Sequence, residues 1–550
     1  MLGFALGILL NIFVPPVDYE ISLAGNFGEP RPNHFHGGLD IRTEGVEGKH
    51  IYAIADGYVS RITVGLNGFG NAVYITHPTG HTSIYCHLKS FSPRIKAALR
   101  KYQYEHESSV ADARLTPLDV PVSQGQFIAL SGNTGHSTAP HLHLEVHDTE
   151  SWDMLDPYEM LNDFISDSIP PQAHAVMAIP LGGTFNGSSS SQTFSPTASA
   201  ITAWGRVGFA LWADDYMEGS SNHYGIRETF LLVDGREVFH SIVDRVPTAL
   251  NRMVNSWGNY DHFRRHRNWY MKSFVEPGNT LPILRADDQR GVIDFCEERP
   301  YQLEYILRDY KGNESHYPFT VNGSKTASSA TVSSLRAPLL RSLRTSTYSL
   351  PGMQLVVPYG LLATDVELRP QVQRQPDALS DAYAYYDRSL PLMREAELSI
   401  FARDLPESVS LITLTAPDPS KLYLTNEAGQ YLGGDYHDGW VTGCIYDLGM
   451  SYQLAYDDQP PVVRLQGSDD SPVSGGQLRL TVTDAQSGIS SWTATVDDRF
   501  VVFDAIEKSS TFAFDLLESW LRRTGKSHRL HFIVTDNRNN TQVYETTFNY

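Results

Sequence analysis

Along residues 140–146, apolar Leu142, Leu144 and Val146 alternate with His141, His143 and Glu145. This period of two predicts a half-buried strand with both imidazoles on its polar face, aimed at a common point. The stretch from Ser83 to Leu88 alternates as well, placing Ile84, Cys86 and Leu88 toward a core and Ser83, Tyr85 and His87 opposite. Ala72 to Thr76, followed by His77-Pro78-Thr79-Gly80, reads as a hairpin arm and its turn. Ser92 and Pro93 have the form of an N-cap and a first-turn proline. Ile95, Ala98, Leu99 and Tyr102 then recur at helical spacing, so a helix is predicted over about 93–106. That helix stands between two histidine motifs, where it either walls a substrate groove or packs on the outside.

From about residue 172 helical periodicity gives way to short β-rich runs, and one pattern occurs twice. Gly225-Ile226 leads to Val233-Asp234-Gly235-Arg236, and Gly488-Ile489 leads to Val496-Asp497-Asp498-Arg499. The copies close on Asp309 to Asn313 and Asp536 to Asn540. Serial hairpins of this kind predict immunoglobulin-like β-sandwiches. The first copy carries an extra stretch with Trp257, Tyr260, His262, Phe263, His266, Trp269 and Tyr270 among arginines, read as a satellite core under a long loop rather than a carbohydrate or partner surface.

With 550 residues the prior is roughly three to four domains. The divisions read here are 1–16, a signal peptide or anchor; 17–170, the histidine-bearing domain; 171–323, a sandwich with an insertion; 324–345, a Ser/Thr/Ala-rich linker that Leu335, Leu339 and Leu340 could dock; 346–456, a β-rich domain; and 457–550, the second sandwich. The apolar run from Met1 to Val14 is too short to span a bilayer and reads as a signal-peptide core, which points to export into the periplasm or envelope. A net charge of −20 argues against nucleic acid or an anionic membrane surface as partner. Cys86, Cys296 and Cys444 are too few and too scattered for a disulfide framework.

The candidate chemistry lies in the first 150 residues. His36 and Asp40 stand four apart across Gly37-Gly38, which disfavours helix and lets the backbone wrap so that both side chains converge. With His143 they supply two imidazoles and one carboxylate, a zinc ligand set that leaves a fourth position open. His87 and His141 are left over. Glu145 reads as a hydrogen-bond acceptor for an imidazole or as a strand-end charge. His34, His77, His81, His136 and His147 read as bystanders, with His136 close enough in the glycine loop to touch substrate.

H-x3-D, Y-x-H-L and S-G-N-T-G-x-S-x-x-P-H-L-H-x-E-V, in that order over about residues 18–160, resemble the lysostaphin/LytM-type zinc metallopeptidases, metallopeptidase family 23. The resemblance implies a mainly β chain with an N-terminal LytM-like antiparallel β domain. It implies one zinc ion on His36, Asp40 and His143, with His87 and His141 as the non-ligand catalytic pair. Asn133, His136 and Tyr85 are the substrate-binding candidates. Of the pair, His141 is favoured as base because its strand also carries His143. The implied activity is hydrolysis of peptide crosslinks in bacterial peptidoglycan by a zinc-activated water, the partners being peptide stems and, through the C-terminal β modules, envelope proteins. The multidomain layout resembles that of Bacteroidetes envelope proteins. Relatives that have lost ligands serve as non-catalytic modules that recruit or activate other cell-wall hydrolases, and the intact ligand set here separates this chain from them.

Overall fold

The computed structural model describes residues 12–65, 68–199, 201–325, 337–403, 418–467, 473–506 and 508–550. It is mainly β. Of the predicted N-terminal signal or anchor, residues 1–11 lie outside the described residues. The segment after them runs along the first domain, where the Val14 N–H donates to the Ile54 carbonyl at 2.9 Å and Phe13 packs on the core. Among the described residues no helix is long and apolar enough to cross a membrane.

The first domain is built on an antiparallel sheet. Its strands run in the order Leu23–Gly25, Gly38–Arg42, His141–Asp148, His81–Cys86, Ala72–Thr76, Gly57–Val64 and Ala111–Arg114. Cross-strand partners share a face. Leu142 pairs with Ile41, and Leu144 with both Leu39 and Tyr85, so these residues form one face. They are fully buried and join the main core with Val59, Ile62, Val73 and Ile75. His143 pairs with both Asp40 and Cys86, so the opposite face carries Asp40, His143, Glu145, Ile84 and Cys86.

Here the phase read from the sequence is reversed over residues 83–86, while Leu88 reaches the main core as expected. Ile84 and Cys86 lie on the histidine face in a small apolar cluster with Ala72 and Tyr74, while Tyr85 belongs to the main core. Both faces of this central strand are covered, so apolar residues occur on both and alternation no longer tells which side is inside.

The helix Pro93–Glu105 forms as expected, burying Ile95 and Leu99. Its outer face meets the C-terminal unit. Arg100 pairs with Asp504 at 3.0 Å, Lys96 pairs with Glu518, and the Phe503 N–H donates to Ser109 Oγ at 3.0 Å. A cleft of about 460 Å³ opens between this helix and the C-terminal unit, and none of His36, Asp40, His87, His141 and His143 lines it.

The repeated pattern reappears as one topology. The strands Arg236–Ile242, Glu228–Val233, Pro300–Arg308 and Glu314–Gly323 are neighbours in that order, as are Arg499–Phe500, Ile489–Val496, Ser527–Asp536 and Thr541–Asn549. Both hairpins turn on two left-handed residues, Asp234 and Gly235 (φ 51° and 75°) and Asp497 and Asp498 (φ 48° and 62°), the backbone that a two-residue hairpin turn requires.

The aromatic insertion is helical, with turns at Thr248–Met253, Val254–Trp257 and Tyr260–His266. Trp257 joins a satellite core with Phe27, Phe35 and Met154 of the first domain. Of the predicted linker, 326–336 lie outside the described residues. Leu340 is buried in the core of the third unit, and the strand Leu339–Leu340 pairs with Val366–Glu367.

Candidate metal centre

Gly37 and Gly38 let the His36 loop close on the strand His141–Asp148. A Cβ at Gly38 would sit 2.1 Å from the Leu144 carbonyl oxygen, and one at Gly37 would sit 2.5 Å from Glu145 Oε1. The close approach brings Asp40 Oδ1 to 2.9 Å from His36 Nε2, 2.8 Å from His143 Nδ1 and 3.2 Å from His141 Nε2. His36 Nε2 and His143 Nδ1 are 3.0 Å apart.

His87 arrives by a different route. The strand His81–Cys86 ends just before it, and a left-handed φ of 60° turns its ring toward the cluster, 4.9 Å from the His141 ring and 5.7 Å from the His143 ring. Continued strand alternation would have put His87 on the core side with Tyr85.

Each imidazole commits its outer nitrogen elsewhere. His36 Nδ1 is 2.6 Å from the Asn26 carbonyl, His87 Nδ1 is 2.6 Å from the Thr134 carbonyl, and His141 Nδ1 is 2.8 Å from the Ala139 carbonyl. Since a carbonyl can only accept, these contacts make Nδ1 the N–H and leave Nε2 as the lone pair facing inward. His143 is reversed. Its Nε2 bonds Glu145 Oε1 at 2.9 Å, so Nδ1 faces the cluster. Glu145 Oε2 in turn takes His147 Nε2 at 2.7 Å. Such outer partners set tautomer and ring orientation in a metal site.

Two overlapping sets could hold an ion: His36, Asp40 and His143, or His87, His141 and His143. In each set the donor atoms lie within 4.8 Å of one another. Burial holds His36 down at about 4 and His87 at about 3, keeping both neutral at pH 7. Burial acts against a charged His143 too, but its bonds to Asp40 and Glu145 outweigh that and lift it to about 9. Asp40 is buried as well, yet His36, His141 and His143 around it hold its carboxyl well below the usual carboxylate range. Its second oxygen accepts from Arg31 Nη2 at 2.7 Å.

The structure thus brings together His36, Asp40, His87, His141 and His143, and it adds others. His147, read as a bystander, is 3% exposed and bonded to Glu145. Arg31 was not foreseen. Nor was the hold of the second unit on the His36 loop, where Asn251 Oδ1 accepts from the Phe35 N–H at 2.6 Å and Asn255 Oδ1 from the Asn33 N–H at 3.0 Å. No local signal in a 200-residue separation marks these asparagines.

Tyr85 is corrected as a substrate-binding candidate. It is fully buried, and its hydroxyl accepts from the Ile54 N–H at 2.8 Å. Asn133 is tied to the C-terminal unit, its carbonyl and side-chain oxygens accepting from Lys508 Nζ at 2.6 and 2.8 Å. His136 is exposed on the same glycine loop.

Residues 34–103 match the profile of peptidase family M23, a span that holds His36, Asp40 and His87 and stops short of His141 and His143. Residues 338–457 match a Zu5-like domain. An uncharacterized metalloprotease of Haemophilus influenzae is 33% identical over 120 residues, 22% of this chain and 19% of that protein. The DD-carboxypeptidase/endopeptidase Mpg of Neisseria meningitidis is 32% identical over 110 residues, 20% of this chain and 19% of that protein. The chain therefore spans about a fifth of the length of these curated relatives. Among solved structures, the catalytic domain of lysostaphin from Staphylococcus simulans aligns at 23% identity over 26% of this chain and 92% of its own, with a TM-score of 0.20. A zinc-containing peptidase from Vibrio cholerae aligns at 28% identity over 24% of this chain and 35% of its own, with a TM-score of 0.18.

Proposed function

We propose, from the premise that the N-terminal domain belongs to peptidase family M23, that this chain is a zinc-dependent endopeptidase of bacterial peptidoglycan acting in the cell envelope. The observation that carries the reading is the convergence of His36 Nε2, Asp40 Oδ1 and His143 Nδ1, each ring fixed from behind by Asn26 or Glu145. Two neutral-capable imidazoles and a carboxylate are the donor chemistry that zinc takes in catalytic sites. Bound there, zinc supplies a Lewis acid that activates water and polarises the scissile carbonyl.

The protein's own groups do the rest. His143 would hold the metal through Nδ1 once that atom is deprotonated, with Glu145 keeping Nε2. His141, the more exposed of the remaining pair, presents Nε2 beside Asp40 Oδ1 and suits a base that takes the water's proton and returns it to the leaving amine. His87, held neutral with Nδ1–H on the Thr134 carbonyl, presents Nε2 toward the same space. There its lone pair accepts a hydrogen bond from the water that His141 deprotonates and so orients it.

The test is digestion of purified crosslinked peptidoglycan by the zinc-loaded chain, with and without a chelator, reading fragments by mass spectrometry. Chelator-sensitive loss of crosslinked dimers is expected. An intact sacculus in the presence of bound zinc would replace this reading with that of a non-catalytic module that recruits other hydrolases.

A further inference from the structure

Behind the first domain, where it joins the second unit, three carboxylates meet. Asp167 lies between the short helix Asn162–Phe164 and the strand Gln172–Pro180, Asp215 follows the strand Ile201–Asp214, and Asp309 follows the strand Pro300–Arg308. One oxygen from each lies within 4.8 Å of the other two. Asp215 is 3% exposed and Asp309 1%.

Asp309 is partnered, accepting from the Asn313 N–H at 2.9 Å and from Asn313 Nδ2 at 2.7 Å. The others are not fully so. Asp215 Oδ1 and Asp167 Oδ2 are buried without a hydrogen-bond partner, and so is the hydroxyl of Tyr158, a 2%-exposed residue on which these three carboxylates exert the strongest charge effects. A buried carboxylate oxygen without a donor or a cation is costly, and natural folds rarely leave several in one place.

We propose that Asp167, Asp215 and Asp309 form a calcium site that fastens the second unit to the first domain. The donors are all oxygen and largely anionic, with no nitrogen or sulfur in the set, which selects a hard cation over zinc. Three convergent carboxylates fit the adaptable coordination of Ca²⁺ better than the strict octahedron of Mg²⁺. The electrostatics agree. Burial and then the neighbouring carboxylates push Asp215 up to about 8, and burial with the charge of Asp309 pushes Asp167 up to about 6.

The C-terminal repeat carries the same arrangement, Asp457, Asp484 and Asp536, and in both copies the first aspartate opens an Asp-x-x-Pro-Pro segment. Its oxygens are better supplied. Asp457 Oδ2 accepts from the Ser487 N–H at 3.0 Å, Asp484 Oδ1 from the Gly488 N–H at 2.7 Å, and Asp536 Oδ1 from the Arg538 N–H at 2.7 Å. This triad serves as the internal control rather than as a second site.

The test uses the zinc-loaded full chain. Tb³⁺ bound at the junction should show luminescence sensitised by Tyr158, and Ca²⁺ should displace it with a dissociation constant on the order of 10⁻⁴ M, as in extracellular calcium modules. Asp215→Asn should weaken this at least about tenfold, while Asp484→Asn leaves it unchanged. In the unmodified chain, Ca²⁺ should slow amide hydrogen exchange over residues 165–171, a readout that does not depend on a variant folding. Absence of a Ca²⁺-displaceable signal, an equal loss in Asp484→Asn, or exchange over 165–171 indifferent to Ca²⁺ would overturn the proposal.

Discussion

In the histidine cluster of the first domain every ring nitrogen that faces outward has a protein acceptor, on Asn26, Thr134, Ala139 or Glu145. At the junction behind it, one oxygen each of Asp167 and Asp215 is buried without a donor. Both clusters gather titratable groups within 4.8 Å of one another, yet they balance their charge differently. The first mixes imidazoles with carboxylates and ties each ring's outer nitrogen to the protein, so its rings are oriented before any ion arrives. The second holds like charges together and needs either protons or a cation to be stable. Proximity of ligand-type residues is therefore a weak guide by itself, and the state of the remaining lone pairs says what each site lacks.

The sharpest way to break this comparison is His143→Ala. Losing a ligand shared by both candidate sets should remove the several kcal/mol that a held Lewis acid supplies, a fall in peptidoglycan hydrolysis of at least about 10³-fold. The fold, judged by circular dichroism, should persist because the change lies on the site face of the sheet. Full activity would refute the metal assignment.

A smaller effect is expected for Glu145→Gln, which keeps the shape but removes the charge that orients His143. Metal affinity, measured by competition with a chromophoric chelator, should weaken about 10- to 100-fold. Unchanged affinity would mean that the ring is held by packing alone.

The smallest effect concerns Asp156, a buried carboxyl outside both clusters that accepts from the Tyr158 N–H at 2.9 Å and that burial pushes up to about 7. A raised folded pKa means that the stabilising protonated form is fully present below the unfolded value near 3.8 and is lost as pH rises through 7. The advantage of Asp156→Asn over the parent should therefore grow by ~2–3 kcal/mol between pH 5 and pH 8, read from urea unfolding. A constant difference across that range would show that the carboxyl titrates normally.

Much of the site was legible because its signals are local. The alternation at 140–146, the H-x3-D spacing around two glycines and the N-cap before Pro93 each depend on residues within one turn or one strand. The repeat was legible for the same reason, since Val-Asp-Gly-Arg and Val-Asp-Asp-Arg encode tight hairpins wherever they sit. Ser83 to Cys86 misled because its strand is central and covered on both faces, so a tyrosine that is wholly core read as polar-facing. The insertion at 248–266 was legible as a satellite core but not as helical, because its helices are short and pack against Phe27, Phe35 and Met154.

The sequence by itself determined which residues meet at the candidate site, the strand that bears two of the histidines, and the doubling of one β unit, because these signals are local. Only the tertiary structure decided the left-handed turn that swings His87 into the cluster, the carboxylate that reverses His143, the asparagines of a distant unit that clamp the His36 loop, and the meeting of Asp167, Asp215 and Asp309. Each of these depends on contacts between segments far apart in the chain, where the energy of burial and of closing hydrogen bonds, not local propensity, selects the conformation.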